Sequence, residues 1–134
     1  MSKPNGVDSS GWLEYLADGK SAGFFAPAIE DTAHLVVPVI TVYEVCKKVR
    51  RERGENAALQ VASMRQSGQV IDLDLALALD AARHALPLAE SLICATASRD
   101  GATVWTQDEH SKDLPGVKYW AKQSAAVKSG PLGE

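Results

Sequence analysis

Short apolar runs alternate along this chain with longer stretches in which apolar residues recur at helical spacing. The runs HLVVPV, QVIDL, ATVWT and GVKYW have the composition of buried strands. Between them, glycines end the helical patterns, as Gly54 and Gly101 do. The alternation of strands and helices predicts an α/β fold, in which helices flank both faces of a parallel sheet.

The predicted elements differ in how clearly their starts are marked. Thr41 and Glu44 are spaced as a capping box, and Pro87 suits the first turn of the last helix, which is apolar nearly all round and should be buried. The first strand is the weakest element, because PNGVD supports only a short edge strand around Gly6 to Asp8. The helical patterns cover residues 9–17, 22–31, 41–54, 55–67, 74–85 and 87–100.

Length and composition fit one globular domain. The chain has 134 residues, of which 46% are hydrophobic, and this excludes a disordered protein. We assign residues 1–121 to the domain and expect residues 122–134 to form a disordered tail. No apolar run reaches the roughly 18 residues of a membrane span, and MSKPNG lacks the apolar segment of a secretory signal. We therefore expect a cytoplasmic protein that does not contact membranes.

The net charge of −3 provides no general attraction for nucleic acid. One local exception is the stretch KKVRRER, in which five cations crowd one predicted helix. Taken alone, such a run is best explained as a solvated helix face. The five cations of this basic run are Lys47, Lys48, Arg50, Arg51 and Arg53.

Four acids fall at or near the ends of predicted strands, where ligands bind in open parallel α/β sheets. Asp8 follows the first strand, and Asp108 follows ATVWT. Glu44 lies in the first turn after LVVPV, and Glu90 opens the buried last helix. Singly, the two aspartates could cap helices, whereas Glu44 could belong to the capping box and Glu90 could complement the helix dipole.

Together, the four acids suggest more than helix capping, because all of them would converge on one edge of the sheet. Packed carboxylates repel one another, and some stay protonated unless a cation neutralises them. A hard, oxygen-seeking cation such as Mg²⁺ or Mn²⁺ suits such a cluster. An ion of this kind can activate a water and stabilise a phosphoryl transition state. The pattern therefore favours metal-assisted hydrolysis of a phosphoester.

Four segments of the sequence resemble, in order, the signature motifs of the PIN-domain family, and most closely its VapC-type toxins. They are VDSSGWLEYL, VPVITVYEV, LPLAESLICATA and GATVWTQD, within residues 6–120. The resemblance implies an endoribonuclease that depends on Mg²⁺ or Mn²⁺, an antitoxin protein that fills the active groove, and a homodimer. It also implies that the metal ligands are Asp8, Glu44, Glu90 and Asp108, with Thr106 as a supporting polar group.

The sequence departs from the family pattern in three places. Glu90 stands where the family usually has aspartate, His110 and Ser111 follow the last acids in place of an acid and a phenylalanine, and the first strand begins with PNG. A first hypothesis is therefore a toxin that cleaves a single-stranded loop of a structured RNA such as tRNA. A second is a degenerate domain that binds its antitoxin but cleaves poorly or not at all. Action on DNA or another phosphoester stays open as a third.

The remaining candidates are weaker. His34, His84 and His110 share no metal-ligand spacing, and His110 is interpreted as a surface histidine. Cys46 and Cys94 lie in helical apolar patterns and are interpreted as buried thiols. The basic run lies on the helix that carries an acid of the site, so it could hold either the RNA backbone or a segment of the antitoxin.

Overall fold

One parallel sheet of five short strands forms the centre of the computed structural model, which describes residues 3–61 and 63–122 and, of residues 65 and 66, only the backbone. The strands are β1 (Asn5–Val7), β2 (Leu35–Pro38), β3 (Gln69–Ile71), β4 (Thr103–Thr106) and β5 (Val117–Tyr119). Their spatial order is β3-β2-β1-β4-β5, and every neighbouring pair is parallel. The predicted α/β fold is confirmed.

Helices cover both faces of the sheet, as predicted. On one face, Val7 and Val37 pack in a fully buried cluster with Phe25. On the other face, Val104 packs against Ile93 and Ala97 of the last helix. The α-helices of the described residues are α1 (Ser9–Leu16), α2 (Ala22–Glu30), α3 (Val39–Arg53), α4 (Glu55–Val61), α5 (Met64–Ser67), α6 (Leu75–Ala81) and α7 (Leu88–Asp100).

The first strand lies in the centre of the sheet, so its prediction as an edge strand was wrong. Gly6 pairs with Val36 of β2 on one side and with Val104 of β4 on the other. The Asn5 side chain accepts a hydrogen bond of 3.0 Å from the indole N–H of Trp105. Backbone pairing on both sides supports this strand, and such pairing needs no long apolar side chains, so the apolar pattern could not reveal it.

Two helices begin or end differently from their sequence patterns. The stretch 55–67 forms α4 and α5, separated near Ser63, whose N–H and hydroxyl both donate to the carbonyl of Gln60. Helix α3 begins at Val39 after Pro38, two residues before the predicted start. Thr41 therefore lies inside the helix, and the predicted capping box does not form. The predicted tail lies outside the described residues, apart from residue 122.

The strand order creates a crevice at one end of the sheet. From β1 the chain builds outward through β2 and β3, and then crosses back to place β4 on the other side of β1. In parallel sheets, ligands bind at the carboxyl ends of the strands at such a reversal, here between β1 and β4. Helix α3 begins at this edge because it follows β2, and α7 begins there because it leads back into β4. Among the residues that the structure describes, no helix is both long and apolar enough to cross a membrane.

Candidate functional site

Asp8 lies at the centre of the crevice, directly after β1. Its side chain is only 5% exposed and caps α1, with Oδ1 accepting a hydrogen bond of 2.8 Å from the N–H of Gly11. The hydroxyl of Thr106 donates to the other carboxylate oxygen, Oδ2. A carboxylate held by two donors on different elements has a restricted orientation. Asp8 is thus both a helix cap and a fixed negative charge in the crevice.

Thr106 links the two aspartates of the site. Its hydroxyl donates to Asp8 and accepts a hydrogen bond of 2.8 Å from the backbone N–H of Asp108. The carboxylate of Asp108 in turn accepts from the N–H of His110 at 3.0 Å, which caps a short 3-10 helix, Glu109–Ser111. The imidazole Nδ1 of His110 lies 3.1 Å from the same carboxylate. The end of β4 therefore sets the position of one acid relative to the other.

The two glutamates are half-buried, and Glu44 lies in the second turn of α3, one turn later than predicted, because the helix begins at Val39. The hydroxyl of Ser9, on α1, donates to Oε1 of Glu44 at 2.6 Å. Glu90 lies in the first turn of α7, where the positive end of the helix dipole favours a carboxylate. Four different elements thus bring the four predicted acids to one edge of the sheet.

The pKa values of these acids show that their charges interact. Burial raises the pKa of Asp8 to about 6, against the lowering effect of its hydrogen bonds from Thr106 and Gly11, and the charges of Asp108 and Glu90 raise it further. Burial is also the main cause of the raised pKa of Glu90, to which the charges of Asp108 and Glu44 add. The site therefore holds closely spaced negative charge in a partly desolvated crevice.

The donors suit a hard divalent cation in their chemistry. All four acids offer carboxylate oxygens, and a cation would offset the burial of the Asp8 charge and its smaller repulsion by Asp108 and Glu90. Within the described residues, however, no three acidic, histidine or cysteine side chains stand close enough to bind an ion as they are. The residues thus fit a divalent metal by charge and ligand type, and the ion would have to draw them together.

A cleft of about 320 Å³ opens between α1 and α3 beside the two glutamates. Its walls combine acids, hydroxyls, cations and one aromatic ring. A separate groove of about 800 Å³ follows the other side of α3, toward α4, and is lined mainly by apolar side chains such as Val42, Ala58 and Leu59. The cleft is lined by Ser9, Ser10, Leu13, Tyr43, Glu44, Lys47, Lys48, Arg51 and Glu90. Helix α3 therefore presents two different surfaces.

The structure adds residues that the sequence patterns did not single out. The hydroxyl of Ser9 contacts Glu44, 35 positions away. Tyr43, next to that acid, lies at the cleft with 58% of its surface exposed. His34 pairs with Asp31 at 3.0 Å, an i, i+3 contact away from the acids. Only adjacency to a predicted acid could have indicated the tyrosine beforehand.

The fold and the site define a class of protein: an α/β domain whose acids lie together where the strand order reverses. The family model for the PIN domain matches residues 7–117. The chain belongs to the PIN-domain family, so the resemblance noted in its sequence is confirmed. Among curated proteins, no sequence matches this chain.

Solved structures with a similar fold include components of toxin–antitoxin systems. A toxin–antitoxin complex from Klebsiella pneumoniae has a TM-score of 0.71 at 16% identity, covering 85% of this chain and 95% of that one. DNA-bound VapBC from Salmonella typhimurium has a TM-score of 0.66 at 14% identity, covering 90% and 98%. VapC20 of Mycobacterium tuberculosis, a toxin that cleaves the sarcin-ricin loop, has a TM-score of 0.62 at 15% identity, covering 96% and 97%. At identities this low, the TM-scores show a shared fold and no more.

The raised pKa of Asp8 predicts how stability depends on pH. Because the folded state binds the Asp8 proton more tightly than the unfolded state, stability should fall as the pH rises from the ordinary value of 3.8 to about 6. Two units correspond to roughly 3 kcal/mol. Asp8→Asn keeps an acceptor for the N–H of Gly11 and cannot ionise. We expect it to be more stable than the wild type above pH 6 in metal-free buffer.

Urea unfolding of both proteins between pH 4 and pH 8, with EDTA present, measures this difference. The stability curve of Asp8→Asn should be flatter through the window from 3.8 to about 6. Glu90, whose pKa is also raised, would leave some slope in the variant. Parallel curves for the two proteins would show that burial does not raise the pKa of Asp8.

Proposed function

We propose that this protein is a divalent-metal-dependent endoribonuclease and the toxin component of a toxin–antitoxin pair. The observation that carries the proposal is the buried, raised-pKa Asp8, hydrogen-bonded through Thr106 to the segment that bears Asp108 in a PIN-domain crevice. Several solved structures of similar fold are described as toxin–antitoxin complexes, which supports the assignment. Its site of action would be the cytoplasm, where structured RNAs are found.

Mg²⁺ or Mn²⁺ would be held by Asp8, Glu44, Glu90 and Asp108. When bound, such an ion neutralises charge on the phosphate and makes a water more acidic. In-line hydrolysis of the phosphodiester would leave a 5′-phosphate and a 3′-hydroxyl end. The substrate would be an unpaired loop of a structured RNA such as tRNA, since unstacked nucleotides are accessible to a shallow site. VapC20, of similar fold, is described as cleaving one such loop.

The chain's own groups orient the acids for this chemistry. The N–H of Gly11 and the hydroxyl of Thr106 hold Asp8, which limits the reorganisation needed when a ligand binds. Thr106 would thus be a positioning residue. The hydroxyl of Ser9 holds Glu44 in the same way. The metal ligands are therefore supported by hydrogen bonds from outside the ligand set.

The antitoxin would bind the apolar groove between α3 and α4. Leu59 is 66% exposed there, beside Val42 and Ala58, and Lys47 and Arg51 lie along its edge. This surface suits a segment with apolar side chains flanked by acids. Since Lys47 and Arg51 also line the cleft next to Glu44, an occupant of the groove would restrict access to the acids. Inhibition would then follow from steric exclusion.

A homodimer would form through a second apolar surface, on α6 and the start of α7. Leu75 and Leu79 lie four residues apart on α6, and Leu88 begins α7, with exposed fractions of 75%, 62% and 75%. Leu75 and Leu79 share one side of α6, and exposed apolar side chains of this kind mark protein interfaces. A second copy of the chain is the partner proposed for it.

The nuclease proposal predicts cleavage that requires both metal and acids. Purified protein should cleave total RNA with Mg²⁺ or Mn²⁺ and stop in excess EDTA. Asp8→Asn and Asp108→Asn preserve the shape of each side chain and remove its charge, so we expect cleavage to slow by about 100-fold or more. In a thermal-shift assay, Mn²⁺ should raise the melting temperature of the wild type but not of these variants. Persistent cleavage in EDTA would contradict the metal mechanism.

Substitutions of Glu90 test whether it binds the metal, since its side chain is one methylene longer than the aspartate usual in the family. If Glu90 works as a ligand, Glu90→Gln should lose most activity and metal affinity, while Glu90→Asp stays near the wild-type rate. If instead Glu90→Asp raises activity from almost none, the wild-type domain is degenerate. If neither change matters, Glu90 takes no part in metal binding or cleavage.

Two equally exposed leucines test the two proposed interfaces against each other. Leu59→Lys should prevent co-purification with the product of the neighbouring reading frame and leave the oligomeric state unchanged. Leu79→Lys should convert a dimer to a monomer in light scattering and leave co-purification intact. Each variant is the other's control, because both place a charge on a leucine of similar exposure. A wild-type monomer, or a complex that survives Leu59→Lys, would refute the corresponding interface.

A further inference from the structure

Tyr43 is an aromatic residue that the fold does not use for its core. It lies on α3 directly before Glu44, with 58% of its surface exposed, and outside the apolar clusters of the described residues. Its neighbour Val45 is fully buried in such a cluster. The ammonium of Lys47 lies 5.6 Å from the centroid of the tyrosine ring, within the range of a cation–π contact. Tyr43 therefore presents a ring to the cleft beside the acids.

The cations of α3 differ in the surfaces that they line, and Lys47 and Arg51 line both the cleft and the groove. Tyr43, Lys47 and Arg51 are spaced four apart and share one side of the helix, at the cleft. Arg51 forms no ion pair with any carboxylate among the described residues. Arg50, by contrast, pairs with Glu55 at 3.0 Å and does not line the cleft. The tertiary structure thus separates two adjacent arginines that the sequence places in one basic run.

The cleft continues beyond the acids. Ser10, Leu13 and Lys48 line both this cleft and a second one of about 210 Å³, which leads to Arg53 and Lys122. Two further acids line the second cleft, and both are engaged. The carboxylate of Glu14 accepts from the N–H of Ser21 at 2.9 Å, and that of Glu52 lies 3.8 Å from the ammonium of Lys48. The result is a continuous track from the exposed tyrosine, past the acids, to cations on the far side.

We propose that this track binds the RNA strand next to the cleavage site, with one base stacked on Tyr43 and adjoining phosphates against Lys47, Lys48 and Arg51. Single-stranded nucleic acids are bound in this way, by an aromatic ring for a base and cations for the backbone. The inference rests on the proposed function and extends it, because it identifies the side chains that hold the strand beside the cleavage site. Tyr43 would be a positioning residue, since it contacts a base and not the reacting phosphate.

The experiment measures binding of a short oligouridine by fluorescence anisotropy in an Asp8→Asn background, where cleavage cannot interfere. Tyr43→Leu removes the ring, and we expect about tenfold weaker binding. Tyr43→Phe keeps the ring and should restore the affinity. Arg51→Gln should weaken binding and reduce the slope of log affinity against log salt by about 0.7, whereas Arg50→Gln on the same helix should leave the slope unchanged.

In the otherwise wild-type enzyme, Tyr43→Leu should raise KM for RNA and leave kcat within about twofold, because stacking positions the substrate and takes no part in bond cleavage. Equal affinities for the leucine and phenylalanine variants and the Asp8→Asn parent would overturn the inference. So would a Tyr43→Leu variant that loses its antitoxin but binds RNA normally, since the ring would then belong to the protein interface. If cleavage requires metal but is unaffected by these substitutions, the proposed function is supported and the RNA track is refuted.

Discussion

The burial of Asp8 at the meeting point of β1, α1 and β4 is the constraint on which the rest of the site depends. Its carboxylate caps α1 through the N–H of Gly11 and binds the hydroxyl of Thr106, so one side chain ties three elements together. Burying a charge is unfavourable unless hydrogen bonds or a cation compensate. The hydrogen bonds compensate in part, and the raised pKa, at about 6, measures what they leave uncompensated.

The apolar packing around the site allows this unfavourable charge to persist. Val7, immediately before Asp8, is fully buried, as are Trp12 and Phe25 around it. Gly11 permits the close approach, because a Cβ there would come within 2.6 Å of the Phe25 ring. The core thus holds the backbone rigid where the carboxylates repel one another. A bound cation would release that repulsion, so ligand binding and folding stability are coupled through the same carboxylate.

Helix α3 connects the acids to both proposed macromolecular partners. Its start places Glu44 at the crevice, one of its sides lines the cleft toward α1, and another lines the apolar groove toward α4. Tyr43, Lys47 and Arg51 lie on the ridge between the two and line both. Two partners that share a ridge compete for it. A protein bound in the groove would therefore exclude RNA without having to reach every acid, which gives the toxin and antitoxin roles a common physical basis.

The sequence by itself determined the fold class and predicted four acids at one edge of the sheet, because alternating apolar periods and strand-end carboxylates are local patterns. It misplaced β1, since a strand of Asn, Gly and Val has little apolar signal, and only pairing with β2 and β4 puts it at the centre. It also suggested a capping box for Glu44, whose partner is Ser9 on another helix. Contacts between distant segments, and the different surfaces that Arg50 and Arg51 line, arise only when the chain packs. For that reason the tertiary structure alone decided that Ser9 and Tyr43 lie beside the acids and which cations face them.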